Sequence, residues 1–446
     1  MSDLLRLATA GSVDDGKSTL VGRLLYDTKS VLADTLDAVH RASADRGLAT
    51  PDLSLLVDGL RSEREQGITI DVAYRYFATP KRSFVLADTP GHVQYTRNTV
   101  TGASTAQLGV LLVDARKGVV EQTRRHAAVL ALLGVPRLVL AVNKIDLVDY
   151  DEVTFSRIAK EFTAHATALG FAEDAVVEIP VSALAGDNVV DRSARTPWYA
   201  GPTLLEHLET VPVDADPHDA PFRFPVQYVI RPRTPDFPDY RGYAGQIAAG
   251  TVHVGDAITV LPIGLRSTIT RIDTADGPLD QAAAGQSVTL LLEHDLDISR
   301  GDLITGGEPP TVTDEFEATV CWLAEKPLTP GARVLVKHGT RTVQAIVTEL
   351  RNRFDEQKLA STEGPGSLNL NEIGQVVVRT AEPVPVDDYT HSRRTGAFLV
   401  IDASDGSTLA AGLVGAPLPV PDGVAGCTEG GSTAQTDSHA LVSPGP

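Results

Sequence analysis

The sequence predicts an α/β domain with a mainly parallel sheet and helices on both faces, followed by two all-β barrels. Residues 1–213 alternate short apolar runs with longer amphipathic stretches. That alternation is typical of a parallel sheet covered on both faces. Beyond residue 213, short alternating strands are separated by Gly and Pro turns, and no long helical period follows. Such spacing is typical of barrels.

Length and composition agree with this fold class. The chain has 446 residues, enough for about three domains. Its net charge of −19 argues against a broad basic face, so we expect no nucleic-acid partner. The longest apolar run, 127–135, is too short to cross a membrane, which takes about 20 residues. With no leader pattern and only Cys321 and Cys427, we expect a cytoplasmic protein.

The pattern also predicts individual elements and domain bounds. We expect domains at 1–213, 214–308 and 309–415, a linker around 213–221, and a disordered tail at 416–446, which lacks aromatic residues, Lys and Arg. A helix is predicted at Ser18–Leu25. Strands are predicted at Arg6–Ala10, Ser83–Ala87, Gly109–Val113, Leu138–Val142, Val176–Val181, Phe224–Ile230, Tyr243–Ala248, Ala257–Leu261, Ser287–Leu292 and Ala332–His338.

The strongest motif is a Walker A loop between the first predicted strand and helix. Its backbone N–H groups can wrap a triphosphate, aided by the positive end of the following helix. Lys17 is expected to bridge the β- and γ-phosphates, and the Ser18 hydroxyl to bind Mg²⁺. The expected phosphate-binding residues are Gly11, Ser12, Val13, Asp14, Asp15, Gly16, Lys17, Ser18 and Thr19.

A second motif, Asp88-Thr89-Pro90-Gly91-His92, follows the next strand of the pattern. Asp88 is expected to hold Mg²⁺, and the Gly91 amide to contact the γ-phosphate. His92 is placed to orient the attacking water, although a lone histidine is more often structural. Upstream, Thr69 can offer its hydroxyl to Mg²⁺ and order a loop in the triphosphate state, or it is an ordinary β-branched strand residue.

A third motif, Asn143-Lys144-Ile145-Asp146, predicts a guanine site. One carboxylate, that of Asp146, can accept both N1–H and the N2 amine of guanine, whereas adenine would leave it unpaired. The Lys144 stem can cover the ring, and a backbone N–H of Ser182-Ala183-Leu184 can meet O6. Together the motifs predict an α/β P-loop GTPase domain, with GTP and Mg²⁺ bound and with Lys17, Thr69, Gly91 and His92 as its catalytic residues.

The same motifs carry a family resemblance over about residues 3–415. The first domain with its two barrels resembles elongation factors Tu and 1α. The chain is more similar still to the large, GTP-hydrolysing subunit of bacterial sulfate adenylyltransferase. The matching stretches are Gly11–Ser30, Asp58–Arg82, Ala87–Asn98, Val113–His126, Gly186–Val190, Pro197–Glu209, Phe224–Gly250 and Arg394–Asp402. Asp15, where translation factors often have His, and Gln66, where they usually have Arg, favour the second family.

That resemblance implies the partner and the reaction. The family's subunit pairs with a smaller catalytic subunit that joins sulfate to the AMP part of ATP and releases pyrophosphate, and GTP hydrolysis drives this uphill step. ATP and sulfate would then bind through the partner. Two other interpretations stay open: a translation factor that delivers tRNA to the ribosome, and a stand-alone GTP switch.

Overall fold

The structure is a computed structural model. It describes residues 3–45, 47, 51–57, 71–92, 95–212, 219–232, 234–235 and 239–415. Several predictions therefore lie outside the described residues: the switch residue Thr69, Gln66, Cys427, the 213–218 part of the expected linker and the 416–446 tail.

The first domain is built on a six-stranded sheet. Its strands are β1 (Asp3–Gly11), β2 (Ala73–Ala78), β3 (Arg82–Asp88), β4 (Leu108–Asp114), β5 (Arg137–Asn143) and β6 (Val176–Pro180). The strand order is β2-β3-β1-β4-β5-β6. All neighbouring pairs are parallel except β2 with β3. The carboxyl ends of β1, β3, β4 and β5 therefore share one edge of the sheet.

Helices cover both faces of this sheet, as predicted. In the described residues they are α1 (Lys17–Asp27), α2 (Ala33–Asp45), α3 (Thr96–Ala103), α4 (Glu121–Leu132), α5 (Glu152–Ala168) and α6 (Leu204–Thr210). Side chains of β5 alternate between two cores: Leu138 and Leu140 pack with α4 and α5, while Val139 packs with α1 and α6. A strand buried on both faces must be apolar throughout, which is why β5 shows no polar alternation.

The second domain is a barrel of short strands between residues 223 and 305. Its strands are β7 (Arg223–Pro225), β8 (Tyr228–Ile230), β9 (Gly242–Gln246), β10 (Thr251–His253), β11 (Ala257–Leu261), β12 (Leu265–Thr274), β13 (Gly277–Leu279), β14 (Gln281–Ala283), β15 (Ser287–Leu292) and β16 (Leu303–Thr305). The main sheet runs β7-β16-β11-β12-β15-β9-β8. We call this unit the first barrel.

The single strand predicted at Phe224–Ile230 is wrong. The chain forms two short strands there, and β7 pairs with β16 while β8 pairs with β9. Between them, the Val226 amide donates to Asp302 O and the Gln227 amide to Ala244 O, both at 2.9 Å. The segment 223–230 thus passes from one end of the sheet to the other and closes the barrel. The apolar pattern of the sequence does not show that the two halves of this segment pair with different strands.

The second barrel spans 311–414. Its strands are β17 (Thr311–Trp322), β18 (Ala332–His338), β19 (Arg341–Asp355), β20 (Ala360–Glu363), β21 (Ile373–Val386), β22 (Ala397–Ile401) and β23 (Thr408–Val414). The sheet order is β18-β22-β23-β17-β21-β19-β20, and an additional pairing of β18 with β19 closes six strands into a ring. Cys321 is a free thiol buried in β17.

The second barrel shares a hydrophobic core with the first domain. Barrel residues Phe354, Ile373 and Leu413 belong to the same buried cluster as α4 and α5. Polar contacts frame this interface: the Tyr389 hydroxyl donates to Leu133 O at 2.8 Å. Arg393 donates to the carbonyls of Ala106 and Ser104, at 3.1 and 3.0 Å. The ends of α3 and α4 are therefore held by the barrel.

The two barrels are joined by a buried ion pair. Arg223, 4% exposed, donates from Nε and from Nη2 to the two carboxylate oxygens of Asp387, each at 2.9 Å. Its Nη1 donates to Thr305 Oγ1 at 2.7 Å, and Asp387 also accepts from the Thr395 hydroxyl at 2.6 Å. Every polar atom of this pair that the barrels enclose is thus matched to a partner.

Candidate nucleotide site

The phosphate loop runs from Gly11, the last residue of β1, to Lys17, the first of α1. Asp14 and Gly16 have left-handed backbone, with φ of 67° and 92°. A Cβ added at Gly16 would lie 2.5 Å from Asn143 Nδ2. Only glycine fits there, because Asn143 reaches under the loop from β5. These turns form a backbone concavity at the carboxyl edge of the sheet, just before a helix N-terminus.

Lys17 crosses this loop. Its side chain is buried, at 7% exposure, and Nζ donates to Gly11 O and Ser12 O, each at 2.9 Å. An ammonium has three N–H donors, so one remains for a ligand. Burial lowers the pKa of Lys17, while the carboxylates of Asp88 and Asp15 act in the opposite direction. An anionic ligand would restore the charge balance of this group.

Asp88 ends β3 beside the loop. It is fully buried and lies opposite Thr9 in the parallel register of β1 and β3. Thr9 Oγ1 donates to Asp88 Oδ1 at 2.7 Å, and the Thr89 hydroxyl donates to Thr9 O at 2.6 Å. Thr9 therefore fixes the position of the whole segment, and neither its residue type nor its spacing marks it in the sequence.

The segment after Asp88 closes against the phosphate loop. A Cβ added at Gly91 would lie 2.6 Å from Gly11 O, so a glycine is needed for this close approach. His92, the next residue, is exposed, and its ring centroid lies 6.1 Å from that of Tyr95. The structure thus brings Gly91 to Lys17 and the loop, and leaves His92 at the surface beside them.

Asn143 connects the two halves of the site. It is buried, and its Nδ2 donates to Asp15 O at 2.7 Å while its Oδ1 accepts from the Ala183 amide at 2.9 Å. The side chain therefore ties the phosphate loop to the 182–184 segment. Arg23 of α1 adds a second tie, donating to Ala183 O at 3.2 Å and to Leu184 O. Arg23 belongs to none of the nucleotide-binding motifs, so the sequence did not indicate this contact.

A buried acid that the motifs missed positions Lys144. Asp114, at the end of β4, accepts from Arg116 Nε and Nη2 at 3.0 and 2.7 Å, and lies 3.2 Å from Lys144 Nζ. Lys144 also donates to Asp14 O. Burial alone would raise the pKa of Asp114, but the hydrogen bonds from Arg116 and Lys144 outweigh it and hold the pKa well below its usual range.

The remaining predicted site residues lie around these contacts. Asp146 is half-exposed after β5, and Leu184 is exposed on the neighbouring segment. The buried members of the set are Thr89, Pro90, Ile145, Ser182 and Ala183, and the half-buried members are Ser12, Val13, Ser18 and Thr19.

Two family models match the chain. The elongation factor Tu GTP binding domain matches residues 2–213, and the GTP-eEF1A C-terminal domain-like family matches residues 315–415. Together with a glycine loop, an Asp-x-x-Gly segment and an Asn-Lys-x-Asp segment at one sheet edge, these matches define a GTP-binding protein of the elongation factor Tu class. The predicted fold class is confirmed.

Curated relatives narrow this class. Sulfate adenylyltransferase subunit 1 of Citrobacter koseri is 48% identical over 98% of this chain and 91% of its own, and that of Methylorubrum populi is 50% identical over 92% and 87%. The bifunctional enzyme CysN/CysC of Mycobacterium tuberculosis is 54% identical over 93% of this chain and 67% of its own length. The chain belongs to the sulfate adenylyltransferase subunit 1 family, which confirms the family that its motifs suggested.

Two further findings complete the comparison. A solved structure of sup35 complexed with GDP covers 93% of this chain and 94% of its own, at 25% identity and a TM-score of 0.42. In the part of the chain that the structure describes, the helices are all too short or too polar to cross a membrane.

Proposed function

We propose that this chain binds and hydrolyses GTP as one subunit of a sulfate adenylyltransferase, and that the hydrolysis drives formation of adenylyl sulfate and pyrophosphate from ATP and sulfate. The observation that supports this most is the meeting of Lys17, Asp88, Gly91 and Asn143 at one edge of the sheet, in a chain 48% identical over 98% of its length to a subunit of that enzyme. The adenylyl-transfer site is assigned to a smaller partner subunit.

The phosphate end of GTP would lie in the loop from Gly11 to Thr19. Its N–H groups and the N-terminus of α1 favour negative charge. Two backbone carbonyls already hold Lys17 across the loop. Because these two hydrogen bonds restrict rotation of the ammonium group, the direction of its third N–H is fixed. That preorganisation suits a group that must meet the β- and γ-phosphates in one position.

The residues around Ser18 fit Mg²⁺. A hydroxyl and a buried carboxylate, that of Asp88, are hard oxygen donors of the kind Mg²⁺ takes together with phosphate oxygens and water. Ser18 and Asp88 would hold the ion, with Thr69 as the proposed third ligand. When bound, Mg²⁺ neutralises charge that develops on the phosphate oxygens.

Hydrolysis would proceed by attack of water on the γ-phosphorus. The Gly91 N–H is proposed to contact the γ-phosphate, since this residue already packs on the loop. His92 would then orient the attacking water from its surface position beside Gly91. The water oxygen bonds to the γ-phosphorus as the bond from that phosphorus to the β–γ bridging oxygen breaks. GDP leaves with the electron pair of the broken bond, and the proton lost by water passes to the released phosphate or to solvent.

The base would lie at the other end of the site. Asp146 is proposed to accept both guanine donors, and the Lys144 stem to cover one face of the ring. Asp114 and Asn143 position this end: the first holds Lys144, and the second links the phosphate loop to the Ser182–Leu184 segment. A backbone amide of that segment would donate to O6.

The proposal is tested by mixing the chain with a small sulfate adenylyltransferase subunit. We expect GTP turnover to accelerate only when the partner, ATP and sulfate are all present, and adenylyl sulfate to accumulate beyond the yield obtained without GTP. Lys17→Ala is the matched variant, and it should lose both effects. An unchanged yield with Lys17→Ala would favour a stand-alone switch, and stimulation by ribosomes would favour a translation factor.

A further inference from the structure

Asp14 and Asp15 are adjacent in the phosphate loop but lie in opposite environments. The Asp14 side chain is exposed. Asp15 is 2% exposed, and its Oδ2 accepts a hydrogen bond from the Ser12 amide at 2.7 Å. Its backbone carbonyl accepts from Asn143 at 2.7 Å. The Asp15 carboxylate is therefore fixed inside the loop, whereas that of Asp14 faces solvent.

A buried carboxylate is unexpected at this place. The loop attracts a polyphosphate through its N–H groups, the N-terminus of α1 and the charge of Lys17. Asp15 places an opposing charge within the same loop, and its charge interacts directly with that of Lys17. Little water screens a charge in this position, so it acts on a neighbouring phosphate more strongly than a surface charge would.

Burial also changes the acidity of the Asp15 carboxyl group. Burial raises the pKa of Asp15, although Lys17 and the Ser12 hydrogen bond act to lower it. Lys117 also acts to lower this pKa, while Asp114, another buried acid of the site, acts to raise it. The neighbouring groups thus do not fully offset the cost of burying this carboxylate, and a neutral acceptor could also receive the Ser12 hydrogen bond, although less strongly.

We propose that Asp15 sets an upper limit on nucleotide affinity: its buried carboxylate repels the bound phosphates and speeds release of GDP. This inference rests on the proposed function of the site as a GTP site. Asp15 acts through charge on the ligand, and its hydrogen bond to Ser12 keeps that charge in place. A subunit that must turn over GTP in step with another reaction benefits from fast release of its product.

The test compares Asp15→Asn with Asp149→Asn. At position 15, Asn keeps an acceptor oxygen for Ser12 and removes the buried charge. Asp149→Asn removes an exposed charge of the same domain that lies outside the nucleotide-binding motifs. We measure binding and release of a fluorescent GDP analogue by the full chain. We expect Asp15→Asn to bind about tenfold or more tightly and to release the analogue correspondingly slowly, with Asp149→Asn changing both by less than about threefold.

The sign of the effect separates this role from a structural one. Loss of a loop support lowers affinity, whereas removal of a repelling charge raises it. Asp15→Ser, whose hydroxyl can also accept from Ser12, should shift affinity in the same direction and serves if Asp15→Asn does not fold. Unchanged or weaker binding by the folded variants overturns the inference while leaving the GTP site intact. No binding by the unaltered chain would instead overturn the proposed function.

Discussion

Asp387→Asn should destabilise the packing of the two barrels severely. The substitution keeps the shape of the side chain but leaves the guanidinium of Arg223 buried without a counter-charge. Arg223 is 4% exposed, and both of its hydrogen bonds to the carboxylate are 2.9 Å long. Breaking one partner of a buried pair typically costs about 3–5 kcal/mol, because an uncompensated charge remains.

The expected shift in melting temperature follows from that cost. For a cooperative unit of the size of the two barrels, 1 kcal/mol corresponds to roughly 2–4 °C. Asp387→Asn should therefore lower the midpoint of thermal unfolding by roughly 6–20 °C. Calorimetry of the full chain measures the shift of this midpoint.

The pH dependence of stability is a second test of the Arg223–Asp387 ion pair. Burial alone would raise the pKa of Asp387, but the hydrogen bonds from Arg223 and Thr395 outweigh it and lower the pKa. A carboxyl whose folded-state pKa is depressed stabilises the fold above its unfolded value, about 4, and loses this effect as the pH falls. The difference between the unaltered chain and Asp387→Asn should therefore shrink below pH about 4.

The control is an exposed pair in the second barrel. Arg379 and Glu315 are 61% and 43% exposed, and such pairs contribute about 0–1 kcal/mol. Glu315→Gln should leave the melting temperature nearly unchanged. If Asp387→Asn also shifted the melting temperature by less than about 2 °C, the buried Arg223–Asp387 ion pair would not hold the barrels together, and the argument from burial would be wrong.

Three further outcomes are expected. Asp146→Asn should weaken GTP binding and admit xanthosine triphosphate, whose base carries the complementary edge; unchanged GTP affinity in a competition assay would refute the base assignment. Asp114→Asn should weaken GTP and GDP binding alike, because Lys144 loses its buried counter-charge; an effect on one nucleotide alone would contradict a positioning role. Tyr389→Phe should cost about 1–2 kcal/mol of stability by leaving Leu133 O without its donor, and equal denaturation midpoints would exclude that contribution.

Local patterns predicted most of the first domain. Strands such as β4 and β5 are apolar along their whole length because both faces are buried, and the motif residues sit where those strands end. The edge strand β2 escaped detection. Its sequence Ala73–Ala78 mixes exposed Tyr74 and Tyr76 with a single buried Phe77, so neither an apolar run nor a clean alternation marks it.

The contacts that complete the site could not be predicted from local sequence patterns. Thr9 and Asp88 are 79 residues apart, and Arg23 reaches a carbonyl 160 residues away. A threonine or an arginine at such positions fits a solvated helix or an ordinary strand equally well. Their roles arise only once parallel pairing brings the strand ends together, so they depend on tertiary structure that no spacing rule encodes.

The short stretch 387–395 gives the whole chain a mechanical property. Asp387 pairs with Arg223 of the first barrel, while Tyr389 and Arg393 donate hydrogen bonds to carbonyls at the C-terminal ends of two helices in the first domain. A displacement of either helix by more than a bond length must break these contacts or move the 387–395 stretch with the helix. Movement of that stretch in turn strains the ion pair between Asp387 and Arg223. While these contacts hold, reorientation of the first domain is therefore transmitted to both barrels.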